Sequence, residues 1–351
     1  MRTLLIAATA VAVFACQKNE PPATPDPTPK KLSEYGFFVG ELKTLTPRAD
    51  VLPYDLNSAL FTDYAHKARF VYVPEGKSAV FDPDETFDFP VGSVLIKNFF
   101  YYKDERNASL GREIIETRLL VRRDTGWRSL TYRWNAEQTE ASLLRTGELR
   151  SVSWVDKNGG TRSALYAIPN ENECYGCHSL DYKTMPIGPR ARHLNRSYDY
   201  ADGRANQLAK WTERGLLTGA PGDSTLMLRL AAYTDTTRRL EERARAYLEI
   251  NCAHCHNRRG PANNSGLYLN YDETYPTAYG VCKPPVAAGR GSGGLKYSIV
   301  PGKPEESIMV HRMKIDDPGA QMPELGRDKA HLEGVALIEE WIRKMPGQCG
   351  D

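Results

Sequence analysis

The sequence has almost no net charge: 46 basic residues against 44 acidic ones leave +2 over 351 residues. No run of Lys or Arg forms the basic stripe that a nucleic-acid binder presents, so that class is excluded. The apolar run Leu4 to Phe14 is too short to span a bilayer stably. Histidine is scarce before Pro169, where His66 stands alone. That half also lacks a nucleophile–base pair, a metal cluster and a phosphate loop, which removes the usual hydrolase and nucleotide chemistries. His66 reads as a surface or hydrogen-bonded residue. The hydrophobic content of 41% can support real cores, and the length suits two or three domains.

What is present is cysteine in a fixed pattern. Glu173-Cys174-Tyr175-Gly176-Cys177-His178 and Asn251-Cys252-Ala253-His254-Cys255-His256 are two copies of C-x-x-C-H. This is the attachment signature for c-type haem. Two thiols add across the two vinyl groups of one porphyrin, and the next histidine is held over the iron as proximal ligand. A lone C-x-x-C also suits a redox dithiol or half a zinc site. The following histidine, and the second copy, favour two covalent haems. Cys174, Cys177 and His178 then hold the first iron, and Cys252, Cys255 and His256 the second.

The stretch before the motifs reads as β. Arg69 to Val73 alternates, and Ser93 to Tyr102 is rich in β-branched and aromatic residues. Ile114 to Arg123 and Trp127 to Trp134 flank Asp124-Thr125-Gly126. Leu149 to Val155 and Thr161 to Ile168 flank Asn158-Gly159-Gly160. Both are hairpin signals. An antiparallel β-sandwich of about seven or eight strands is expected over 32–169. Tyr101, Tyr102, Trp127 and Trp134 read first as core and cross-strand pairs, and secondly as the lining of a ligand groove.

After His178, Ile187-Gly188-Pro189 resembles the Gly-Pro segment of class I cytochromes c, whose proline carbonyl accepts the proximal imidazole N–H. The resemblance implies that Pro189 serves His178. Gly260-Pro261 stands nearer to His256 than that spacing, and implies the same role for Pro261. The sixth ligand of the first iron is not legible: Met185 and Met227 are equal candidates, His193 stands behind them, and an open position is a further option. Gln207 to Leu217 suits a short helix, as does Arg238 to Ile250, which feeds Cys252. In Asp317-Pro318-Gly319-Ala320-Gln321-Met322-Pro323 the Met-Pro resembles the class I axial loop, which implies Met322 as sixth ligand of the second iron. Met309 and Met313 fit a buried helix instead. Val335, Leu337, Ile338, Trp341 and Ile342 form one face of a closing helix. His254 reads as a solvent-edge residue or, less simply, a distal ligand. His311 and His331 read as surface or capping residues, with a propionate bond as an option for His331.

At the N-terminus, Arg2, the apolar run and Val13-Phe14-Ala15-Cys16 resemble an export signal ending in the lipobox of bacterial lipoproteins. The resemblance implies a lipidated Cys16, simple secretion being the alternative, and Gln17 implies passage to the outer membrane. A Pro-rich tether follows over 17–31. With four cysteines on haem and Cys16 acylated, Cys282 and Cys349 are left to pair, two free thiols being the alternative.

The segments 244–256, Gly280 to Gly294, Met322 to Arg327 and Pro90 to Lys97 together resemble a family of largely uncharacterised bacterial two-haem cytochromes c. That resemblance implies an α+β multidomain chain: signal peptide 1–16, tether 17–31, β-sandwich 32–169, first haem segment 170–236, and an all-α class I-like cytochrome c domain over 237–351. It implies two covalent haem c irons, a periplasm-facing lipoprotein of the cell envelope, and a periplasmic or membrane redox partner. Electron transfer between such partners leads. A peroxidase-like enzyme with the first haem as active site is the alternative. A third reading makes the sandwich a binding module that tethers an electron carrier.

Overall fold

The computed structural model describes residues 28–350. The expected signal peptide, the expected lipidation site Cys16 and most of the expected tether lie outside these residues. The rest of the tether is not free. Lys30 accepts a hydrogen bond from the Leu143 N–H at 2.8 Å, and Pro29 accepts one from the Tyr132 hydroxyl at 2.8 Å. Residues 28–31 therefore run along a sheet edge and cover groups that would otherwise invite pairing.

The strands are β1 (Val51–Tyr54), β2 (His66–Tyr72), β3 (Ala79–Val80), β4 (Val94–Tyr102), β5 (Arg112–Arg123), β6 (Gly126–Trp134), β7 (Ala141–Leu144), β8 (Glu148–Val155) and β9 (Thr161–Ile168). Six of them make one antiparallel sheet in the order β1-β2-β4-β5-β6-β7. The short β3 pairs in parallel with Leu217–Thr218. β8 and β9 form a separate hairpin.

Alternation along β4 sorts the two faces of the sheet. Ile96 and Phe100 point to a core shared with Leu32, Phe37 and Trp134. Leu95, Lys97, Phe99 and Tyr101 point the other way. On that second face Leu95 joins Trp211 and Leu194, while Phe99 and Tyr101 join Trp154 and Tyr166 of the hairpin. Tyr101 and Trp134 are thus core residues. Trp127 and Tyr102 are partly buried against the same cores.

The helices are α1 (Glu171–Cys177), α2 (Ala191–Leu194), α3 (Gln207–Glu213), α4 (Leu240–Asn251), α5 (Ile308–Lys314) and α6 (Leu332–Arg343). None among the described residues is long and apolar enough to cross a membrane. The last three share a core of Ala244, Tyr247, Leu248, Val310, Ile338 and Trp341. The loop over 57–65 binds this region to the sheet. The Asn251 side chain accepts from the Phe61 N–H at 2.8 Å, and the Asp63 carboxylate accepts from the Asp328 and Lys329 N–H groups.

Two expectations about fold class are overturned. The stretch 237–351 is not an all-α cytochrome c-like domain. It holds α-helices of only 12, 7 and 12 residues, joined by 3-10 turns and long irregular loops. Pro261, Pro276, Pro284, Pro285, Pro301 and Pro304, with the glycines at 289, 291, 293 and 294, deny the intervening chain a regular helix. The described chain as a whole is β-rich, with antiparallel sheets and short helices. Nor is the β region two facing sheets. A single six-stranded sheet carries a hairpin over one end of its second face, and α2 and α3 cover the other end.

Candidate functional site

Each motif sits on a helical turn that aims its side chains. α1 opens with a capping box, in which Asn170 accepts from the Glu173 N–H and the Glu173 carboxylate accepts from the Asn170 N–H. Cys174 and Cys177, three residues apart, share one face of this helix, and His178 caps its end. The second motif continues α4 in a tight turn, where the Cys255 and His256 N–H groups both donate to Cys252 O.

The fold brings the two motifs together. One ligand atom each from Cys177, His254 and Cys255 lie within 4.8 Å of one another. The Cys255 thiol reaches Gly176 O at 3.8 Å. Outside this contact, Arg259 ties the second motif to the loop after the first. Its carbonyl accepts from the Asp181 N–H at 3.0 Å and its guanidinium donates to the Asp181 carboxylate at 2.7 Å. All four motif cysteines are unpaired, while Cys282 and Cys349 form a disulfide.

The histidine rings are held as metal ligands need to be. His178 Nδ1 lies 3.0 Å from Met185 O. With Nδ1–H donating there, Nε2 keeps a free lone pair. His256 Nδ1 lies 3.3 Å from Ser265 Oγ, whose own hydrogen goes to Ala262 O. Burial pushes both imidazoles down to about 4, so both stay neutral. Burial also raises the Cys174 thiol, and takes Cys252 up to about 12. The Cys255 thiol, as hydrogen-bond donor, pulls Cys177 down despite its burial, with His254 assisting.

These partners correct the sequence reading. The carbonyl serving His178 belongs to Met185, because the chain turns back at once after the motif and Met185 N–H also donates to His178 O at 2.7 Å. Pro189 O accepts from Phe87 N–H instead. The partner of His256 is Ser265, not Pro261. Met227 packs on the Trp211 core. Met185 lines a cavity of about 30 Å³ with His178, His193, His254, Arg190 and Glu249. Met322 is half-buried in a loop that reaches the first motif: a Cβ on Gly176 would touch Leu325, and Met322 N–H donates to Arg312 O. His254 is half-buried, facing Cys177, and its buried Nδ1 has no partner. His331 is buried, stacked on Phe61 at 4.2 Å with Nδ1 3.0 Å from the Tyr247 hydroxyl.

One buried network went unread in the sequence. Glu249 on α4 pairs with Arg192 at 2.8 Å and lies 3.6 Å from His193 and 3.7 Å from Arg190. His193, kept neutral by burial, is thereby held against the Glu249 carboxylate as a hydrogen-bonding neighbour rather than left a free ring. No pattern links Arg192 and Glu249 along the chain. The only hint was charged residues flanked by apolar ones.

The donor set fits two c-type haems: two thiols and one oriented, neutral imidazole per motif. The cavity of about 30 Å³ between the motifs has room for no more than a water or two. Comparison with protein-family models, curated proteins and solved structures finds no match for this chain.

Proposed function

We propose that the chain is a two-haem c-type cytochrome of the cell envelope that passes electrons between redox partners. The observation that carries this reading is the convergence of two C-x-x-C-H motifs at one place, with four unpaired thiols and two oriented imidazoles. Bound haem supplies a one-electron iron couple. Cys174 with Cys177 and Cys252 with Cys255 hold it by thioethers, and His178 and His256 offer Nε2 to iron. Met322 is the sixth-ligand candidate for the second iron and Met185 for the first. Adjacent attachment points suit exchange of electrons inside one protein. The Cys282–Cys349 disulfide suits an oxidising compartment, as does export through the Cys16 signal.

Optical and EPR spectra of the purified protein, oxidised and reduced, with and without carbon monoxide, test the reading. Two low-spin haems that ignore carbon monoxide are expected. Stoichiometric carbon monoxide binding at one haem overturns simple electron transfer and makes that haem a catalytic candidate.

The cluster of Cys177, His254 and Cys255 favours a second reading, a thiolate–imidazole site for zinc or copper with the three side chains as ligands. The two readings exclude each other, since a thioether sulfur no longer ionises.

A further inference from the structure

The sheet face beneath α1 carries four basic side chains among apolar neighbours and Glu116, and burial together with their mutual repulsion lowers Lys67 and takes Lys97 down to about 7. Arg69, Lys97 and Arg118 stand directly across from one another on β2, β4 and β5, and Lys67 and Phe99 pair one step along the same face. Lys67 Nζ, Lys97 Nζ and Arg118 Cζ lie 5.8, 4.9 and 4.3 Å from the centre of the fully buried Phe99 ring. Like charges facing one another across neighbouring strands destabilise a sheet. The anions beside them are Glu116, which pairs with Arg118, Asp55, which Arg69 shares with Arg196, and Asp63, which acts on Lys67, whose ammonium also donates to Ala65 O at 2.6 Å. Among the described residues Lys97 has no carboxylate in ion-pair contact. Arg69 is 5% exposed and its Nη2 has no hydrogen-bond partner. The first motif roofs the belt. Cys174 hydrogen-bonds Thr131 of β6, which pairs with Arg118, and Cys177 and His178 lie within electrostatic range of Lys97.

We propose that this belt is a binding site for a carboxylate or small oxyanion, with Lys97, Lys67 and Arg69 Nη2 as its donors. Two sources supply that chemistry: the propionates of a haem held at Cys174 and Cys177, or a free anion from solution. The first source rests on the haem reading and the second does not.

The test uses full-length wild type, Lys97→Met and, as control, the exposed Lys77→Met. Haem content, the two midpoint potentials and calorimetric titration with inorganic phosphate are measured on each. If propionates occupy the belt, Lys97→Met keeps two haems. It lowers one midpoint by about 59 mV, tenfold in that reduction equilibrium, because a lost positive charge disfavours Fe(II). Phosphate then gives no heat with wild type. If a free anion occupies it, phosphate binds wild type saturably and Lys97→Met abolishes this, with or without haem. Two haems, unmoved potentials and no phosphate binding overturn the site while leaving the haem reading intact. Absence of haem together with Lys97-dependent phosphate binding does the reverse. Should Lys97→Met fail to accumulate, Lys67→Met carries the same readouts.

Discussion

Glu249→Gln removes one charge from the buried network beside the first motif and leaves its volume almost unchanged. The carboxylate takes Arg192 at 2.8 Å, and its other oxygen accepts from the Tyr271 N–H at 2.7 Å. Burial alone raises this carboxyl. The His193 hydrogen bond and the charges of Arg192 and Arg190 outweigh burial and hold it at about 2, against 4.5 for an unperturbed glutamate. The folded value is the depressed one. Its stabilisation is therefore present above pH 4.5 and is lost as pH falls from there to about 2. At 1.36 kcal/mol per pKa unit, the charge contributes about 3 kcal/mol at neutral pH. That agrees with the cost of about 3–5 kcal/mol for breaking a buried pair from one side. Urea unfolding of wild type and Glu249→Gln at two pH values reads this directly. The variant should be weaker by about 3 kcal/mol near pH 7 and by only about 1 kcal/mol near pH 3. A gap of the same size at both pH values would refute the electrostatic argument and assign the effect to hydrogen-bond geometry.

Replacing Cys282 by serine opens a bridge between residues 67 apart in sequence. On chain entropy it should cost about 4 kcal/mol at 25 °C, and a urea midpoint unchanged from wild type would contradict this. Gly334→Ala lies in α6, where alanine ordinarily gains about 1 kcal/mol. Here the new methyl overlaps the Tyr247 ring of α4, and a net loss of about 1–3 kcal/mol is expected. A raised melting temperature would show that α4 and α6 can separate at no cost. Replacing both Cys174 and Cys177 by serine should halve the covalent haem and leave the second attachment intact, as read by pyridine haemochrome.

Local pattern carried much of the secondary structure and little of the architecture. The strands at 94–102 and 126–134 and the hairpin of β8 and β9 lie where alternation and Gly-containing turns put them. The helices at 240–251 and 332–343 follow their apolar periodicity. What failed was the step from two helices and a Met-Pro loop to a whole all-α domain, because the chain between them is dominated by proline and glycine. The sandwich failed for a related reason. Alternation shows that a strand has two faces, yet not whether a sheet or helices cover the second. At the site, the motif residues were legible by spacing alone. The carbonyl of Met185, the hydroxyl of Ser265 and the carboxylate of Glu249 were not, since each reaches its partner through backbone geometry or long-range packing. Lys97 carried no signal either. Alternation gives it the same face as Phe99, and nothing in the local pattern says that a helix bearing a cysteine motif covers that face.

The most direct measurement is the mass of the two motif peptides from the purified protein, together with its haem-to-chain ratio. One haem is expected on the peptide carrying Cys174 and Cys177, one on the peptide carrying Cys252 and Cys255, and two haems per chain. Unmodified thiols at all four cysteines, with zinc or copper bound in their place, would contradict it.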